Sequence, residues 1–135
     1  RNASWRKIYA TMELLISEID HISMPTRPPK EEFVPSSLQF SIVGIPEEKI
    51  QQFLTYADVH GVHIKWFGNH EPIGFTSRHD HWHYLSDHNK RDVPNAERIL
   101  RGLCDIRLPA WLTENDCRDV ARVIADSVSA AIVSK

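Results

Sequence analysis

Apolar side chains recur every three or four positions near the start of the chain: Trp5, Ile8, Tyr9, Met12, Leu15, Ile16 and Ile19. That spacing lines them along one stripe and predicts a helix over 2–20. The next tract, ISMPTRPPKEEFVPSS, holds four prolines. Proline breaks the helical ladder, so an extended surface connection is expected there. The period then falls to two. Leu38, Phe40 and Ile42 alternate with Gln39, Ser41 and Val43, the pattern of a strand buried on one face.

Gly44-Ile45-Pro46 interrupts that strand. Pro46 suits the first turn of a helix, and Glu47 and Glu48 favour its positive end. Ile50, Phe53, Leu54 and Ala57 form its inner face, and Gly61 is placed to cap its C-terminus. Val62, Ile64 and Trp66 predict a second strand. From 67 to 91 the periodicity lapses into a tract rich in His, Asn, Asp, Trp and Tyr. A loop of that length in a small domain is expected to be functional. Beyond it, Asn95 is expected to cap a helix carrying Ile99, Leu100 and Leu103. Cys104, Ile106 and Leu108 predict a third strand. Thr113 opens the last helix, with Asp116 three residues on as an approximate capping box. Cys117, Val120, Ala121, Val123, Ile124, Val128 and Ala131 are its buried face. The expected fold is one α+β domain over 1–135. It is a two-layer sandwich in which helices cover one face of a small, mostly antiparallel sheet of three or four strands.

Composition narrows the function classes. The chain has 135 residues, 41% hydrophobic and 25% charged, with a formal net charge of −2, an ordinary balance for a globular domain able to build its own core. No basic run stands out, so nucleic acid is not an expected partner. No apolar run approaches the roughly 18 residues of a membrane helix. The first residues, RNASWRK, carry no signal-peptide core, and the Asn2-Ala3-Ser4 sequon reads as a chance match. A cytoplasmic protein is expected, and the lack of an initiator Met suggests a piece of a longer one. Cys104 and Cys117 are then expected as buried free thiols in place of a disulfide.

Nucleophile elbows, dinucleotide fingerprints and phosphate-binding loops are missing from the sequence. The candidate chemistry lies elsewhere. Arg78-His79-Asp80-His81-Trp82-His83 places histidines at every second position. On a strand, His79, His81 and His83 would share a face and could grip Zn²⁺ or a similar ion. The alternative is a His-rich polar loop. Lys65, Trp66 and Phe67 stand where the second strand leaves the sheet, and Arg78 lies on the loop beyond. A cation beside aromatics at a strand end suits a carboxylate or phosphate. Arg107 projects from a strand away from its apolar neighbours and could do the same, or could pair with an acidic residue.

Taken in order, these segments resemble a known family. A long helix precedes a Pro-rich tract, then a strand and the helical stretch from Ile45 to His60. Gly61-Val62-His63-Ile64-Lys65-Trp66-Phe67 is similar to that family's Gly-Ile-x-x-x-x-His-Tyr-Pro strand. Leu112-Thr113-Glu114-Asn115-Asp116 is similar to its closing Leu-Thr-Glu-Glu-Asp helix start. The chain thus resembles the C-terminal small domain of the fold-type I pyridoxal-phosphate (PLP) aminotransferases, nearest the DegT/DnrJ/EryC1/StrS sugar aminotransferases. Lys65-Trp66-Phe67-Gly68 and Cys104-Asp105-Ile106-Arg107-Leu108-Pro109 depart from the family's usual motifs, as a divergent branch would. The resemblance implies a PLP-binding large domain upstream that carries the cofactor lysine, a homodimeric parent and a small keto substrate. It implies that Lys65, Trp66, Arg78 and Arg107 contribute substrate contacts, and that the fragment alone is inactive. Two further readings stay open: a metal-binding domain built on the histidines, and an interaction module using the apolar stripe around Trp5.

Overall fold

A computed structural model describes residues 2–73 and 93–133. The order is α1 (Asn2–Ser17), β1 (Ile22–Ser23), β2 (Ser37–Ile42), α2 (Glu47–Val59), β3 (Lys65–Trp66), α3 (Pro94–Gly102), β4 (Leu103–Arg107) and α4 (Glu114–Val133). The strands form one sheet in the order β1-β2-β4-β3, and each neighbouring pair is antiparallel. The α+β sandwich expected from periodicity is the fold observed.

Register explains the layering. Leu38 faces Ile106 and Phe40 faces Cys104 across β2 and β4, and Trp66 faces Cys104 from the other side. All five are buried. Side chains alternate along a strand, so the intervening set, Gln39, Asp105 and Lys65, points to the opposite face. The apolar face is covered by helix. Met12, Ile16, Phe53, Ile124 and Val128 join Leu38 and Phe40 in one core, and α4 packs on both α1 and α2. The stripe around Trp5 is used internally: the Trp5 indole donates to the Leu108 carbonyl at 2.8 Å.

Helix ends follow local chemistry. At the end of α2, Val62 N–H donates to Ala57 O (2.8 Å) and Gly61 N–H to Asp58 O (3.0 Å). This double closure needs a left-handed residue, and Gly61 supplies it at φ +86°. Thr113 and Asp116 form the expected box. Asp116 N–H donates to Thr113 Oγ1 at 3.2 Å, and Asp116 Oδ2 accepts from Thr113 N–H at 2.7 Å and from its hydroxyl at 2.8 Å.

Three local expectations change. Asn95 does not cap α3. The cap position falls two residues earlier, at Val93, with Pro94 in the first turn and no side-chain cap, because proline's fixed φ and missing N–H suit that position. The second strand is shorter than the alternation of Val62, Ile64 and Trp66 suggested. Val62 and Ile64 are buried, but Val62 N–H closes α2, and only Lys65 and Trp66 join the ladder. The proline-rich connection also contains β1. Ile22 and Ser23 pair with Ile42 and Ser41, and Val43 N–H extends the pairing to His21 O at 2.8 Å.

Candidate functional site

A cleft with an apolar floor and charged walls runs along the β3 edge of the sheet toward the start of α4. It encloses about 500 Å³. Val62, Ile106, Leu108 and Leu112 give it an apolar floor. Lys65, Asp105 and Arg107 stand on the strand side, Asp116 and Asp119 on the helix side, and Trp111 at the rim. Trp111 is 75% exposed, far more than a tryptophan without a partner surface requires.

Strand geometry brings the charged groups together. Lys65 lies directly across from Asp105, and Arg107 follows Asp105 by two residues, so all three share the face turned away from the helices. Asp105 is buried. Beneath it, on the helix side, burial pushes the Cys104 thiol far above its ordinary range, and the Asp105 carboxylate adds to that effect. Cys117 is raised for the same first reason, with Asp116 and Glu114 contributing. Both cysteines are free and buried, so they are packing residues. The Asp116 carboxyl is held below the usual carboxylate range by hydrogen bonds from the Thr113 backbone and then from its hydroxyl.

The residues singled out by sequence separate into three groups. Lys65 and Arg107 line the cleft. Trp66 does not. It is 4% exposed, it faces the helix side opposite Cys104, and its indole N–H donates to the Arg101 carbonyl at 2.7 Å. A side chain so buried, with its one polar group already paired, packs in the core and holds Lys65 beside it, and it also borders a separate groove with Glu47, Gln51, Asn69 and His70. Arg78, His79, His81 and His83 lie outside the described residues. Among the described residues, no group of three or more His, Cys, Asp or Glu side chains could hold a metal ion. Sequence reasoning missed Trp111 and Asp105. Trp111, in the Pro-Ala-Trp turn after the third predicted strand, carried no periodic signal. Asp105 was legible in principle as the position directly between two inward residues of that strand.

Holding PLP takes a lysine, an acid for the ring nitrogen and a cradle of N–H groups for the phosphate. Lys65 and Asp105 offer the first two types. The cradle does not follow. The first turn of α4 borders the cleft, but Glu114 and Asp116 occupy it and Thr113 already accepts an N–H there. Two carboxylates at that helix end repel a phosphate. The described residues therefore do not form a PLP seat.

No protein-family model and no curated protein matches the sequence. Solved structures do. Sugar aminotransferase CalS13 from Micromonospora echinospora aligns with a TM-score of 0.71 over 93% of this chain at 17% identity. Aminotransferase TlmJ from Streptoalloteichus hindustanus aligns at 0.67 over 98% with 12% identity. The 3-amino-5-hydroxybenzoic acid synthase aligns at 0.68 over 95% with 16% identity. The chain has the fold of an aminotransferase segment. It spans about a third of each of those proteins: 30%, 33% and 34% of their chains. No helix among the described residues is long and apolar enough to cross a membrane.

Proposed function

We propose that this chain is the C-terminal small domain of a PLP-dependent aminotransferase of the DegT/DnrJ/EryC1/StrS type, which transfers an amino group to a keto sugar or a related keto substrate. One observation carries the reading. Three solved structures, two of them aminotransferases, each match nearly the whole chain with only about a third of their own length, as a larger enzyme would match one of its domains. In this reading the cofactor and its lysine belong to a large domain, and this chain closes over the substrate. In that role Lys65 and Arg107 bind the substrate's anionic or hydroxyl groups from the cleft wall, Arg78 adds a further contact, and Trp66 fixes the strand that carries Lys65. The parent is a cytoplasmic homodimer, and the chain by itself is catalytically inert.

The test begins with the coding sequence. It is expected to encode, ahead of Arg1, a segment about twice as long as this chain, by proportion to the matched structures. The full-length protein is then expected to bind PLP through a lysine of that segment and to transfer an amino group from an amino acid to a keto sugar. A full-length protein that neither retains PLP nor transfers the amino group would overturn the proposal.

A further inference from the structure

A second groove opens where the β1–β2 side of the sheet meets α3. It holds about 580 Å³ and shares no lining residue with the cleft. Its floor is apolar, with Ile42 and Ile50 buried, and Ile99 stays exposed at its rim. Register builds one polar wall. Ser23 pairs with Ser41 across β1 and β2. Their strand neighbours Ile22, Phe40 and Ile42 are buried, so alternation turns both hydroxyls away from the core. Directly opposed strand residues hold their Cβ atoms about 5 Å apart, close enough for both hydroxyls to reach one ligand.

Helical spacing builds the basic wall. Arg98 and Arg101 stand three residues apart on α3, which stacks them on one face, and both line the groove. The helix is pinned at that end. The Arg101 carbonyl takes the Trp66 indole bond, and Gly102 lies so close to β2 that a Cβ would fall 2.5 Å from the Ile42 carbonyl oxygen. Among the described lining residues the one carboxylate is Glu47, which stands 3.0 Å from His70, a residue outside the groove. One acid against two guanidiniums leaves the groove positive.

We propose that this groove is a phosphate-binding site. Arg98 and Arg101 clamp the phosphate of a small phosphorylated ligand, Ser23 and Ser41 donate to its remaining oxygens, and the ligand's uncharged part lies on Ile45 and Ile99. A phosphate suits the two walls better than a carboxylate does. Its three terminal oxygens can answer donors from both sides at once, and arginine forks take two of them in parallel. The volume is that of a small-molecule site. With a formal net charge of −2, the chain offers no extended basic surface to a nucleic acid. The inference stands apart from the aminotransferase reading, whose cleft lies elsewhere on the chain.

The experiment follows amide hydrogen exchange in the full-length protein as inorganic phosphate replaces chloride at constant ionic strength, with excess PLP present to fill any cofactor site. Exchange over 41–47 and 94–102 is expected to slow with a saturable midpoint. Arg98→Ala and Arg101→Ala should each raise that midpoint about ten-fold or more, because each removes charge-assisted bonds to the anion. Both arginines are exposed, so the variants should keep the fold, and their melting curves verify it. Arg98→Lys keeps the charge without the fork and should fall between wild type and Arg98→Ala. Phenyl phosphate should bind about three-fold or more tightly than inorganic phosphate, for a ring half-buried on the groove's apolar side; equal midpoints would overturn the assignment to a small ligand. Protection that fails to appear, or that both alanine variants retain unchanged, would overturn the site itself. So would protection lost on Arg107→Ala, which would move the phosphate to the cleft. Absence of transamination would sink the aminotransferase reading and leave this one standing.

Discussion

The resemblance assigns Trp66 to substrate, its burial points to packing, and the two assignments predict different behaviour. Its indole N–H serves the Arg101 carbonyl at the end of α3, one of the last four carbonyls that a helix cannot satisfy itself. The ring also lies across the backbone of Gly68, where a Cβ would fall 2.6 Å from two ring carbons. Trp66→Phe retains an aromatic ring but orphans the carbonyl, at a cost of about 1–3 kcal/mol, plus a cavity contribution where the larger indole stood. Gly68→Ala forces the ring aside, an overpacking cost of about 1–3 kcal/mol. Both changes disturb the same ring, so they should not add. Trimming the indole relieves the clash, and the double variant should be less destabilised than the sum by about 0.5 kcal/mol or more. The assay is urea unfolding of all four proteins, followed by near-ultraviolet circular dichroism to report the Trp66 environment. Strict additivity would refute the packing argument. So would a Trp66→Phe variant with unchanged stability but a raised KM in the full-length enzyme, because that result would return Trp66 to the substrate.

Phe40→Ala should cost about 3–5 kcal/mol, since Phe40 is fully buried at the centre of the sheet; a urea midpoint within error of wild type would contradict the core assignment. Thr113→Ala removes the cap of α4 and should cost about 1 kcal/mol, read by the same assay. The Asp116 side of that box should show in acid: its folded pKa is depressed, so its contribution is present above the unfolded value near 4 and is lost as pH falls through the folded one. The acid sensitivity should disappear in Asp116→Asn. Cys104 and Cys117 should resist thiol reagents at neutral pH in the folded chain, because burial raises both. Labelling at native conditions that outpaces unfolding would show one of them to be accessible.

The parts of this fold that could be read from sequence are those in which one residue answers one local demand. The alternation through Leu38, Phe40 and Ile42 names a buried strand face because a pleat has only two sides. Gly61 names a helix end because its left-handed backbone excludes most other residues. Thr113 and Asp116 name a helix start because three bonds between them have no other geometry. What escaped depends on partners distant in the chain. β1 is two residues long, too short to show a period, and exists because Ile42 and Ser41 supply its ladder. Trp66 reads equally as a core residue or a binding residue until Arg101, 35 positions away, is seen to take its N–H. Asp105 looks like an outward strand residue until Lys65 is placed across from it. The charged side of the cleft is thus a product of register, which hydrophobic periodicity fixes only up to the choice of face. A one-residue slip of β3 against β4 would send Lys65 into the core and Trp66 into solvent. Trp66 and its bond to Arg101 resist that slip, and so the most buried residue of β3 sets where its lysine points.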